Sequence, residues 1–199
     1  MATRKTGWNE GATLLIVLMA ALLVMSALVL GLAGTGVDGI RMLIRATARS
    51  SLLLFVAAFT ASALVRLWPM PMTRWTIRNR RWIGLGFAFS HLVHLIAILW
   101  LFGAHDGQPP PPVTTLVGGG IAYVFIALLA ATSFDGAVRK LGARNWKRLH
   151  TAGVWYIWLI FMVSYGGRAA VDPYYWPPAL LLIAAAGLRI AARRRKAAT

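Results

Sequence analysis

The 21 residues from Ala12 to Leu32 contain no Lys, Arg, Asp or Glu, and five further stretches come close to that length with no charge. Such runs decide what the chain can become, because about 20 consecutive apolar residues are what an α-helix needs to cross the ~30 Å hydrocarbon core of a bilayer. The others are Ser50 to Val65, Trp82 to Ala104, Val113 to Phe134, Thr151 to Gly167 and Tyr174 to Leu188. Ser50 to Val65 is short, but Arg49 and Arg66 flank it, and their long stems can snorkel to either interface. The expectation is an all-α membrane protein, a six-transmembrane helical bundle in a single domain over residues 1–199. Composition agrees: 13% of the side chains are charged, against about a quarter in a soluble domain.

Two breaks punctuate the runs. The segment His105-Asp106-Gly107-Gln108-Pro109-Pro110-Pro111-Pro112 separates the third from the fourth, and four prolines cannot continue a helix. A short turn around Asp172-Pro173 separates the last two. The first run follows Arg4 and Lys5 as a secretory signal would, yet its 21 residues exceed the usual ~7–15 and no clear small-x-small site follows. It reads as an uncleaved first helix.

The net charge of +16 does not point to nucleic acid, because a nucleic-acid face must be continuous and solvated, whereas here long apolar runs separate the charges. Orientation follows from where the 21 basic residues fall, since cytoplasmic loops near helix ends hold an excess of them. Seventeen lie on the N-terminal tail, the second and fourth loops and the C-terminal end; Arg41, Arg45, Arg49 and Arg168 lie on the other side. Both termini are therefore expected in the cytoplasm, with the chain multi-pass. The Arg193-Arg194-Arg195-Lys196 tail would anchor the last helix by the same rule.

With no Cys, disulfides, thiolate zinc sites, cysteine-ligated clusters and a Cys nucleophile are excluded. The five carboxylates, Glu10, Asp38, Asp106, Asp135 and Asp172, all avoid the depth of a span, which disfavours a hydrolytic metal site. No Ser/His/Asp set, Walker loop or dinucleotide fingerprint is found. Most Trp residues lie near span ends, as interfacial belts do; Trp155 and Trp158 lie inside the fifth span, where core packing is the plainer role.

An ionisable side chain inside a bilayer is costly and calls for a partner or a function, so the four histidines are the informative residues. His91 and His94 are three apart on the third run and project from one helix face. His94 stands twelve residues in from Trp82, ~18 Å along a helix and in the outer half of the membrane. Both could bond to neighbouring helices, or serve as axial haem ligands. His150 opens the fifth run beside Lys147 and Arg148, and reads equally as an interfacial residue; His105 reads as a solvated loop residue.

Several segments together carry a resemblance: Arg49 through Arg66; Arg80-Arg81-Trp82-Ile83-Gly84-Leu85 leading to His94-Leu95; Thr132-Ser133-Phe134-Asp135 followed by Arg139-Lys140-Leu141-Gly142; and Trp146-Lys147-Arg148-Leu149-His150. Over about residues 45–165 the chain resembles the haem-binding membrane subunits of bacterial methionine-sulfoxide reductase systems, within the ferric reductase-like transmembrane superfamily. The resemblance implies b-type haem and electron transfer across the membrane, from quinone chemistry or a cytoplasmic flavin (FMN) donor supplied by a partner, to an outer acceptor or partner reductase. It implies a subunit rather than a complete enzyme, because the chain carries no nucleotide-binding domain of its own. His94 and His150 fall on the family's ligand positions, Arg49 on a family arginine that would pair with haem propionates at the outer end of the second helix, and Val163 on a position where the family has a further histidine. One haem is then expected: five-coordinate on His94, on His94 with Met162 or Tyr165 as sixth ligand, or shifted to span His91 and His150 instead. The competing expectation is a haem-free helical protein of the same fold, acting as an assembly partner or small-molecule carrier.

Overall fold

A computed structural model describes residues 7–104 and 112–197. Arg4, Lys5, His105 and Asp106, with most of the proline segment, lie outside the described residues. The protein is all-α: α1 (Gly11–Ala33), α2 (Val37–Leu67), α3 (Pro71–Ala104), α4 (Val113–Ala131), a short α5 (Asp135–Leu141), α6 (Ala143–Ala169), one 3-10 turn (Pro173–Tyr175) and α7 (Trp176–Ala197). Among the described residues six helices are long and apolar enough to cross a membrane, so this is a multi-pass helical membrane protein.

The helices outrun the apolar stretches. α2 starts at Val37, not Ser50, and takes in Arg41, Arg45 and Arg49; α3 starts at Pro71, not Trp82, and takes in Arg74, Arg78, Arg80 and Arg81. Arginine is a good helix former, so a charge ends the apolar run without ending the helix. The true stops are turn chemistry. Gly34 closes α1 at φ 77°, a left-handed backbone that favours glycine. Asp38 sits in the first turn of α2, where a carboxylate complements the helix dipole. Pro71 opens α3, and the Thr73 hydroxyl accepts from Met70 N at 3.0 Å and reaches the Trp68 carbonyl at 2.7 Å. The fourth loop holds α5, with Asp135 in its first turn, Arg139 and Lys140 in its last, and Gly142 at φ 74° behind it.

The chain forms two compact units. One holds α1, α2 up to Ala58 and α3 from Trp75; the other holds the rest of α2 and α3 with α4 to α7. In the first unit, Gly11 N donates to Asn79 Oδ1 at 3.0 Å, Arg78 pairs with Glu10 at 3.2 Å, and Leu18 lies over Gly86. All three pairs have one sequence offset, 68 residues, so α1 and α3 run parallel. Thr47 meets His94 and Ser51 meets Ser90, so α2 runs antiparallel to α3. In the second unit, α4 and α6 run antiparallel, Thr132 on His150 and Leu129 and Phe125 over Gly153. Trp158 Nε1 donates to the Leu182 carbonyl at 2.9 Å between α6 and α7. Arg189 donates to the Phe59 carbonyl at 2.7 Å while its guanidinium lies 4.2 Å from the Phe59 ring centre, tying α7 to the end of α2.

Candidate functional site

In the first unit a row of hydroxyls runs between α2 and α3. Thr47, Ser51 and Ser90 are fully buried. Ser51 Oγ donates to Ser90 Oγ at 2.8 Å, Ser50 Oγ meets Ser90 Oγ at 3.1 Å, and Thr47 Oγ1 meets His94 Nδ1 at 2.9 Å. Sequence reading did not single out these hydroxyls, although Thr47 and Ser51, and Ser90 and His94, stand four apart and so share helix faces.

The threonine bears on the state of the imidazole. A hydroxyl has one proton and accepts through its lone pairs. Thr47 Oγ1 lies 2.8 Å from the Leu43 carbonyl and 3.1 Å from that of Ile44, and neither carbonyl can donate. Were the Thr47 proton on that turn, the 2.9 Å contact would be a bond from His94 Nδ1–H to Thr47 Oγ1. That tautomer carries its lone pair on Nε2. An imidazole whose Nδ1–H is fixed by a hydrogen bond and whose Nε2 is unprotonated is the form that ligates a metal.

His91 is also in this unit, its ring centre 5.4 Å from that of His94 and 4.9 Å from that of Phe87. Arg49 is exposed and is the thirteenth of the 31 residues of α2. The pairing of 47 with 94 and 51 with 90 sets Arg49 level with Leu92, and the 68-residue offset sets Leu92 level with Val24 of α1. Val24 is nine residues from Ala33, well inside charge-free α1. The expectation that Arg49 stands at the end of the second helix is therefore corrected: α2 begins twelve residues before it, and Arg49 lies inside the helix.

His150 belongs to the second unit and is held differently. Its Nε2 meets Thr132 Oγ1 at 3.0 Å, and Thr132 directs its proton to the Leu128 carbonyl at 2.6 Å. With the Thr132 proton on Leu128 O, Nε2 would be the donor in that contact. The ring stacks on Trp146 at 4.1 Å between centres, and Trp146 Nε1 donates to the Thr132 carbonyl at 2.8 Å. As an iron ligand His150 would have to leave Thr132 or bind through Nδ1; as it stands, it clips the start of α6 to the end of α4.

Three residues bear on the expected sixth ligand. Val163 is 64% exposed, on the side of α6 away from buried Ile157, Phe161 and Tyr165. Tyr165 stacks on Phe161 at 6.2 Å and lies 6.2 Å from Tyr175. Met162 turns its methyl against Gly166. Among the described residues no three His, Asp or Glu side chains gather as a metal cage. A haem asks for less: the porphyrin supplies four nitrogens, and the protein one or two axial ligands. His94, its Nδ1 2.9 Å from Thr47 Oγ1, fits that need.

No family model matches the chain, and no solved structure matches it. Curated relatives do. A protein of Azospira oryzae is 35% identical over 106 residues, covering 45% of this chain and 44% of the relative. One of Ralstonia nicotianae is 31% identical over 121 residues, covering 58% and 54%. In these two alignments the chain spans about half the length of the relative. A third, of Bordetella pertussis, is 32% identical over 177 residues, covering 83% of this chain and 82% of the relative. Each of the three is a protein-methionine-sulfoxide reductase haem-binding subunit, MsrQ. Since the Bordetella alignment runs through most of both chains, across the α2–α3 hydroxyl row and the α4–α6 clip alike, the protein belongs to the MsrQ family.

Proposed function

We propose that this protein holds one b-type haem on His94 and serves as the electron-carrying membrane subunit of a methionine-sulfoxide reductase system. The observation that carries the reading is the 2.9 Å contact of His94 Nδ1 with Thr47 Oγ1; donated by Nδ1–H, it would leave Nε2 to ligate. The absence of cysteine from the sequence removes thioether attachment and favours a non-covalent, b-type group. When bound, the haem supplies one-electron chemistry at iron.

The chain's own residues do the rest. α2 and α3 bury the Thr47 and Ser90 side of the ligand and keep water from it. Arg49, a guanidinium inside the helix, compensates propionate charge through charge-assisted hydrogen bonds. His91 stands one turn from His94 as a second imidazole on the same face. His150 is assigned to the α4–α6 clip rather than to iron, because its Nε2 is engaged by Thr132.

Both termini face the cytoplasm of a bacterial inner membrane in this reading, from the seventeen-to-four distribution of basic residues. Electrons enter from a cytoplasmic flavin protein or from quinol and leave to a reductase or other acceptor on the outer side. The test is the protein purified from membranes in detergent after expression with ample haem. A Soret band and a pyridine haemochrome of b type, near one haem per chain, are expected. A pure, folded protein with no Soret band overturns the reading in favour of a haem-free assembly or carrier protein.

A further inference from the structure

We infer that Thr47 is a positioning residue for the haem ligand: its hydroxyl accepts the Nδ1 proton of His94 and so fixes which nitrogen, and which ring orientation, is offered to iron. This deepens the reading that His94 binds haem and rests on it.

Thr47 is suited to the task in three ways. Its one proton is directed at Leu43 O, 2.8 Å away on its own helix, so the oxygen turns its lone pairs toward His94. Its side chain is branched at Cβ, and a threonine in a helix has few rotamers, those in use being stabilised by bonds to the carbonyls three and four residues back; Ile44 O at 3.1 Å and Leu43 O are those carbonyls. Its backbone is also braced. Ser50 Oγ donates to the Thr47 carbonyl at 3.1 Å, Ser90 Oγ reaches the same carbonyl from α3 at 3.4 Å, and Ser51 Oγ donates to Ser90 Oγ at 2.8 Å. The hydroxyl row therefore holds the acceptor, and the acceptor holds the ring.

A hydroxyl also differs from a carboxylate in this place. A charged acceptor would pull on the Nδ1 proton and make the ligand more basic; Thr47 orients the ring and leaves it neutral. Such outer partners of metal-bound histidines change affinity about 10–100-fold when removed.

The experiment uses the full-length protein in detergent. ¹⁵N spectra of the haem-free form, with His94 assigned by its absence in His94→Gln, are expected to show a protonated Nδ1 and an unprotonated Nε2 for His94. A protonated Nε2 on His94 overturns the proposal whatever the variants do. Haemin titration of wild type, Thr47→Val and Thr47→Ser follows. Thr47→Val keeps the shape and is expected to bind haemin at least about tenfold more weakly, with an altered iron–histidine stretch in the ferrous resonance Raman spectrum; Thr47→Ser is expected to restore both. Wild-type affinity and stretch in Thr47→Val overturn the proposal while the haem reading stands. Haemin binding that ignores His94→Gln overturns the reading itself.

Discussion

His94 and His150 each rest on a threonine hydroxyl, yet through different nitrogens. Thr47 takes the Nδ1 of His94, and Thr132 takes the Nε2 of His150. In both pairs the threonine hydroxyl also reaches the carbonyl four residues back, at 2.8 Å for Thr47 and 2.6 Å for Thr132, and with its proton there each histidine would be the donor. Two residues alike in sequence thus emerge as a ligand candidate and a structural clip. Sequence could place both at ligand positions through the resemblance, but the tautomer depends on which helix brings a hydroxyl to the ring, and no spacing within one helix reveals that. The clip makes a prediction. His150→Ala is expected to keep the Soret band and to lower stability by about 1 kcal/mol, the typical worth of one hydrogen bond, plus the lost stacking on Trp146. Thermal unfolding in detergent, followed by circular dichroism and at the Soret wavelength, measures both; loss of the Soret band in a folded variant would return His150 to the iron. Arg49→Ala is expected to weaken haem retention or lower the midpoint potential, with Arg49→Lys intermediate because it keeps the charge without the bidentate fork. Redox titration of the variants beside wild type checks it.

At the scale of elements, all six crossing helices were legible as charge-free runs, but their ends were not. Arg49 and Arg81 halt a hydropathy run and leave the i to i−4 hydrogen-bond ladder intact, so α2 and α3 pass through them. α5 was missed as a helix because seven residues are too few to show a period, though Asp135 at its start and Gly142 behind it are the usual signals. The helix glycines are unequal in what surrounds them. A Cβ on Gly153 would meet Leu129 Cδ1 at 3.0 Å and Phe125 Cδ1 at 3.1 Å, whereas one on Gly119 meets nothing within 4 Å. Gly153→Leu is expected to cost about 1–3 kcal/mol by overpacking α4 against α6, and Gly119→Ala to be close to neutral. Comparison of their thermal midpoints in detergent tests the contrast; equal midpoints would mean that α4 and α6 do not approach at Gly153.

For the whole molecule, the proposed orientation rests on the distribution of basic residues and the proposed haem site on the His94–Thr47 contact. Because the sequence has no cysteine, single cysteines report orientation without background. An impermeant thiol reagent applied from outside the inner membrane is expected to label Gln108→Cys and to spare Ala143→Cys; the reverse pattern inverts the orientation. The family was legible in the distributed motifs around His94 and His150, and the relatives bear it out. The buried hydroxyls that fix His94 were not, since a Thr or Ser in an apolar run carries no mark of what it will face. The most direct test of the account is the absorption spectrum of purified His94→Ala beside wild type and His105→Ala. A b-type Soret band is expected in wild type and His105→Ala, and its loss in folded His94→Ala. A Soret band of wild-type height and position in His94→Ala would contradict it.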